Sequence, residues 1–250
     1  MKDLLAGLAL FAGLIAMSTS AAAASAPTGS AIAFGRQGEY HGYFAPGSHR
    51  ERLPGIVMIH EWWGLNSNIK TEADKYAGAG YNVLAVDLFG KVATTPEEAK
   101  KLVQGVDQPT ATAQLLAAAD YLRALPHSNG RVDSLGWCFG GGQSLNLALN
   151  DPKLNAAVIY YGQPVTDPQQ LAKITAPILG HFGEVDKTIS LTRVKEFTQA
   201  LTAAGVRHTL YIYPGAAHAF ANPTNTTAYN RNAAIKANKR TAAFLRKYLQ

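Results

Sequence analysis

The 250-residue sequence has a single cysteine, so no disulfide can form within the chain and Cys138 is either an inert buried side chain or a working thiol. No apolar run reaches the roughly 20 residues that a bilayer-spanning helix needs; the longest, residues 4–17, is too short. Charged residues make up only 16% of the chain, and the formal net charge of +6 comes from dispersed Lys and Arg. The densest group, Arg231, Lys236, Lys239, Arg240, Arg246 and Lys247, falls on a terminal helical pattern with no aromatic residues interleaved to stack bases, which argues against a nucleic-acid partner. Internal repeats and low-complexity linkers are also missing, which leaves one compact α/β domain over residues 27–250.

Lys2, the apolar run over 4–17 and the Ser, Thr and Ala residues up to Ala26 have the layout of a cleaved secretory signal peptide. The expectation is a signal over residues 1–26, a periplasmic or secreted mature protein, and no stable membrane insertion once the signal is removed.

Residues 31–34 and 39–44 alternate around Gln37 and Gly38 and predict an antiparallel hairpin. Short apolar runs at 56–60, 82–86, 132–135, 156–160, 178–181 and 209–213 then read as buried strands. Helical patterns lie between and after them at 69–79, 96–103, 110–125, 141–149, 190–204 and 227–249. Such alternation predicts a mainly parallel sheet with helices on both faces, and functional groups in loops beyond the carboxyl ends of the strands.

Gly136-Trp137-Cys138-Phe139-Gly140-Gly141 stands between a strand and a helix, the layout of a nucleophile elbow with cysteine in the usual serine position. A turn that sharp requires glycine two places before and two places after the nucleophile, and it sets the thiol at a helix N-terminus, whose partial positive charge favours a thiolate. Such a nucleophile needs a base and a group to orient that base, in the chain order nucleophile, acid, histidine. Asp186 in Gly183-Glu184-Val185-Asp186 follows a strand and supplies the carboxylate, with Glu184 as the neighbouring alternative. Of the seven histidines, His218 alone falls in the loop before the last helix. Glu61, at the end of the first parallel strand, stands as an acid facing the elbow. His60-Glu61-Trp62-Trp63-Gly64 has no second histidine at zinc-binding spacing, so neither a metal nor a cofactor is expected.

Six segments in order carry a resemblance: His60-Glu61-Trp62-Trp63-Gly64-Leu65, Asp87-Leu88-Phe89-Gly90, the elbow, Tyr160-Tyr161-Gly162, the run from Gly183 to Asp186, and His218-Ala219-Phe220. Together they resemble the dienelactone hydrolase family of α/β-hydrolases over nearly all of residues 31–250. The resemblance implies a triad of Cys138, Asp186 and His218, with Glu61 taking part in switching the thiol to a thiolate and the backbone amides of Trp62 and Phe139 forming an oxyanion hole. Its substrate contacts point to Trp63, Phe89, Lys91, Phe220 and Asn222. The best-known family pattern has Asp-Leu-Tyr-x-Arg where this chain has Asp87-Leu88-Phe89-Gly90-Lys91, and an arginine where it has Asn222. These changes remove a phenol hydroxyl and replace bidentate carboxylate recognition by a point charge, which moves the expected substrate from dienelactone itself toward another lactone or activated ester. Two further readings exist: a non-catalytic protein holding a small apolar ligand near Trp62, Trp63 and Phe220, and thiol–disulfide chemistry, which lacks a resolving cysteine.

Overall fold

The computed structural model describes residues 28–47 and 52–250; the signal segment expected at residues 1–26 lies outside them. The chain begins with β1 (Ser30–Phe34) and β2 (Tyr40–Ala45), followed by β3 (Leu53–Ile59), α1 (Ser67–Gly78) and β4 (Asn82–Val86). Helices α2 (Pro96–Gln104) and α3 (Gln108–Ala124) lead into β5 (Ser128–Trp137), α4 (Phe139–Asn150) and β6 (Ala156–Tyr160). The remainder is α5 (Pro168–Leu171), β7 (Ile178–Gly183), α6 (Leu191–Ala203), β8 (His208–Tyr213) and α7 (Arg231–Leu249).

The strands form one sheet in the order β1-β2-β4-β3-β5-β6-β7-β8. The pairings of β1 with β2 and of β2 with β4 are antiparallel and the others parallel, which is the α/β-hydrolase arrangement expected from the alternation of strands and helices. β3, β4, β6 and β7 are buried along their whole length, since helices cover both faces. Along β3, Val57 and Ile59 join the apolar cluster on one side of the sheet while Ile56 and Met58 join the cluster on the other.

Several elements differ from the sequence expectation, among them β5, which runs from Ser128 to Trp137 instead of 132–135, and β3, which starts at Leu53 instead of 56. α7 starts at Arg231 instead of 227 because Asn230 caps it, its side chain accepting from Ala233 N. α5, one short turn, is too brief to show a helical period. α4 begins at Phe139, two residues before the expected start, which puts the first helical turn directly against the cysteine.

That junction is held by close backbone packing. A Cβ at Gly136 would stand 2.0 Å from Gly140 O, and one at Gly140 would stand 2.3 Å from Ile59 O and 2.5 Å from His60 O. Backbone cannot yield as a flexible side chain does, so Gly140→Ala is expected to cost about 1–3 kcal/mol and to lower the melting temperature by roughly 3–10 °C. A thermal melt of the purified variant checks this; an unchanged midpoint would show that the strand and helix can part freely.

Candidate active site

Cys138 connects β5 to α4 with φ 54° and ψ −118°, a strained left-handed conformation for a residue with a side chain. Its own N–H donates to Tyr160 O at 3.0 Å, and its carbonyl accepts from Gly141 N at 3.0 Å and Gly142 N at 3.3 Å. The strand and the helix thus hold the turn from both sides, and the thiol is left partly exposed on the wall of a cleft of about 680 Å³.

His218 reaches the same cleft from the loop after β8. Its Nδ1 lies 2.8 Å from Asp186 Oδ2, and the other carboxylate oxygen, Oδ1, accepts from Thr188 N at 2.7 Å and Ile189 N at 2.9 Å. Burial raises the pKa of Asp186, but the hydrogen bonds from His218 and from these two amides, with the charge of His218, outweigh it and hold the carboxyl below its usual range. Burial works against a charge on His218. Hydrogen bonds to Asp186 and Cys138, and the negative charge of both, overcome it and raise the imidazole pKa. The arrangement therefore favours an imidazolium beside the Asp186 carboxylate. Glu184, the neighbouring alternative, is employed elsewhere: its Oε2 accepts from Gly215 N at 2.9 Å and braces the histidine loop.

Trp62 and Phe139 also line the cleft. Phe139 is the first residue of α4, where an N–H has no acceptor within the helix. Its ring is one of a group with His60 and Phe89, at centroid separations of 5.9 and 5.0 Å. His60 is fully buried, with Nδ1 2.6 Å from Glu61 O and Nε2 accepting from Leu88 N at 3.2 Å, so both ring nitrogens serve the backbone below the site.

Glu61 is buried close enough to His218 for the charges to interact. Asn222 Nδ2 donates to its Oε2, and the Tyr161 hydroxyl lies 3.5 Å from its Oε1. Burial raises the Glu61 pKa from the ordinary 4.5 to about 7, against the lowering effects of Asn222, the charge of His218 and Tyr161. Glu61 and Asn222 line a separate cavity of about 170 Å³, and Tyr161 stands on the wall of both cavities. The sequence had assigned no role to Tyr161, whose ring is 5.1 Å from that of His218.

None of the five expected substrate contacts lines the cleft. Lys91 Nζ is taken up by Glu98 Oε1 at 2.6 Å. Phe89 packs edge-on to His60 at 4.6 Å and supports the elbow from below. Trp63 packs on Trp62, and its carbonyl accepts from Ala93 N at 2.8 Å. Phe220 is fully buried between Tyr161 and Tyr213. Asn222, where the family pattern has a cation, is a neutral donor to Glu61.

The raised pKa of Glu61 makes a stability prediction. Its folded value lies above its unfolded value, so the stability linked to it is complete below pH 4.5 and is lost as the pH rises through about 7. The loss amounts to about 3 kcal/mol at 1.36 kcal/mol per unit. Glu61→Gln lacks that loss, so its stability relative to the parent should rise by roughly this amount between pH 4.5 and 8.5. Guanidinium unfolding of both proteins at the two pH values measures it, and parallel pH dependences would contradict the raised value.

Several comparisons bear on this site. The model of the dienelactone hydrolase family matches residues 41–249. A protein of Aquifex pyrophilus named Protein usf is 32% identical over 205 residues, 78% of this chain and 89% of that protein. A probable 2-oxo-3-(5-oxofuran-2-ylidene)propanoate lactonase of Bradyrhizobium sp is 31% identical over 215 residues, 79% of this chain and 85% of that one. Among solved structures, a dienelactone hydrolase-like promiscuous phosphotriesterase from metagenomic libraries superposes with a TM-score of 0.81 at 22% identity, covering 90% of this chain and 100% of that chain. Acylaminoacyl peptidase of Pyrococcus horikoshii shares the fold at a TM-score of 0.71 and 14% identity, over 90% of this chain and 42% of that one. With a family match across almost the whole described chain, the protein belongs to the dienelactone hydrolase family and is a hydrolase of carboxylic esters or lactones.

Proposed function

We propose that the protein cleaves activated carboxylic esters or lactones through a thioester on Cys138. The observation that carries this reading is the Asp186–His218 hydrogen bond of 2.8 Å at a cleft whose wall also holds the Cys138 thiol and His218.

The thiolate attacks the acyl carbon, a C–S bond forms, and the carbonyl electron pair moves onto oxygen. The N–H groups of Trp62 and Phe139 stabilise that oxyanion; donors of this kind are worth about 3–4 kcal/mol each. Collapse breaks the C–O bond, and the leaving oxygen departs with the electron pair, taking a proton from the His218 imidazolium where it is basic enough to need one. Where the leaving oxygen departs unprotonated, the imidazolium releases its proton to solvent; neutral His218 then removes a proton from water as the water attacks the thioester carbon, and the thiolate leaves. Asp186 fixes the imidazole tautomer throughout. Glu61, poised to gain or lose a proton near neutral pH, serves as a proton store for the thiol–imidazole pair.

A thiolate is a good leaving group, so an intermediate formed from an ordinary amide reverts to substrate, whereas an enolate or phenolate leaves unaided. The natural substrate class is therefore lactones and activated esters. Stopped-flow hydrolysis of a p-nitrophenyl ester by this enzyme is expected to show a p-nitrophenolate burst approaching one equivalent per Cys138 wherever thioester hydrolysis limits turnover. Turnover that survives complete alkylation of Cys138 would overturn the proposal.

A further inference from the structure

The cleft is longer than a small lactone requires. Gly142, Gln143, Asn146 and Leu149 on one face of α4 all line it, starting from the cysteine end. At 1.5 Å of rise per residue, Phe139 to Leu149 covers about 15 Å. Val103 and Gln104 of α2 and the segment Gln163-Pro164-Val165 after β6 supply further lining, and the volume of about 680 Å³ falls in the range of sites for drug-sized ligands.

The trench has little to offer a charged substrate group. Apart from His218, its one charged lining residue among the described residues is Lys100, an exposed side chain on α2. Three of the wall's amides are partnered: Gln108 Nε2 donates to Gln143 Oε1 at 3.0 Å, Gln143 Nε2 donates to Gln108 Oε1 at 2.8 Å, and Asn146 Nδ2 donates to Thr112 Oγ1 at 2.9 Å. Lys91, the cation at the family's arginine position, is already bound to Glu98. A carboxylate laid along this trench would meet neutral amides and one exposed ammonium but no buried cation, a desolvation cost that an apolar chain does not meet.

We propose that the preferred substrates are neutral esters carrying an elongated apolar group, which lies along α4 against Val103 and Val165 and ends near Leu149. This rests on the reading of Cys138 as the nucleophile of ester cleavage.

The test is kcat/KM for two series of neutral esters: p-nitrophenyl alkanoates from acetate to octanoate, and acetates of phenols bearing 4-alkyl chains of the same lengths. At about 0.8 kcal/mol per buried methylene, the expected rise is roughly two- to fourfold per added methylene in at least one series, and the series that shows it identifies the side of the ester bond held in the trench. p-Nitrophenyl hexanoate should also exceed the p-nitrophenyl monoester of adipate by about tenfold or more. Gly142→Leu places a side chain in the trench, and its Cβ meets nothing nearer than Gln163 N at 3.6 Å, so the helix accepts it. The ratio of octanoate to acetate kcat/KM should fall about fivefold or more in this variant if the acyl side is held, and the matching long-to-short ratio of the phenol series should fall if the other side is. Leu149→Ser, at the far end, should lower the same ratio and serves if Gly142→Leu does not fold.

Cys138-dependent turnover of acetate with no length preference in either series would overturn the trench assignment alone. So would a long-to-short ratio that is unchanged in a folded variant. Adipate turnover equal to or better than hexanoate, lost in Lys100→Ala, would show instead that Lys100 captures a substrate anion. No turnover of any ester by the parent would remove the nucleophile reading and this inference together.

Discussion

Cys138→Ala is expected to lower kcat/KM for a p-nitrophenyl ester by about 10³-fold or more, with the fold intact. The side chain is partly exposed at the elbow, so truncating it removes the attacking atom without opening a large void in the core. The clamp on the turn is made by backbone groups, Cys138 N to Tyr160 O and Gly141 N to Cys138 O, and these remain in the variant. What is left is the cleft and the oxyanion donors, which give only a residual rate above water. Cys138→Ser is a sharper comparison: a hydroxyl in the same place is far less ionised than a thiol, so it should retain only weak activity. Steady-state rates with melting curves on all three proteins check both points, and an alanine variant with parental activity would remove Cys138 from the mechanism.

The second large effect is expected from Asp186→Asn, a loss in kcat on the order of 10³-fold with a much smaller change in KM. Asp186 is a shared acceptor, taking hydrogen bonds from His218, Thr188 and Ile189. An amide keeps an oxygen for the backbone donors but turns an NH2 toward Nδ1 of His218, which selects the wrong tautomer. It also removes the negative charge that helps raise the His218 pKa, so the imidazolium is less favoured at neutral pH. A pH–rate profile separates this from simple misfolding: the limb governed by the imidazolium should move to lower pH in the variant, and a parental profile with reduced amplitude would point to damage elsewhere.

The fold and the sharp turn at Cys138 were legible in the sequence because each rests on local rules. Whole-length apolar runs such as β6 announce strands buried on both faces. Gly136 and Gly140 flank the cysteine because the backbone of β5, β3 and α4 passes within contact of their α-carbons. Asp186 and His218 stood out by chain order and by their places after strands, and the structure brings their side chains to 2.8 Å. The substrate contacts were not legible. Lys91 had a cation's credentials, but seven residues on Glu98 takes its ammonium. Asn222 looked like a lost charge, and only the packing of its loop against Glu61 shows that it donates a hydrogen bond there. The cleft wall is assembled from α2, α3, α4 and the segment after β6, segments distant in sequence whose Gln and Asn residues carry no pattern of their own. Tyr161 took its importance from a position between two cavities, which no single-sequence period reports.

The central claim, covalent catalysis at Cys138, is tested most directly by acid-quenching the enzyme during turnover of an activated ester and measuring the intact mass, followed by peptide mapping. The account predicts a mass increase equal to the acyl group, located on the peptide containing Cys138 and absent from Cys138→Ala. An acyl group mapped to another residue, or a p-nitrophenolate burst with no acyl group on Cys138, would contradict it.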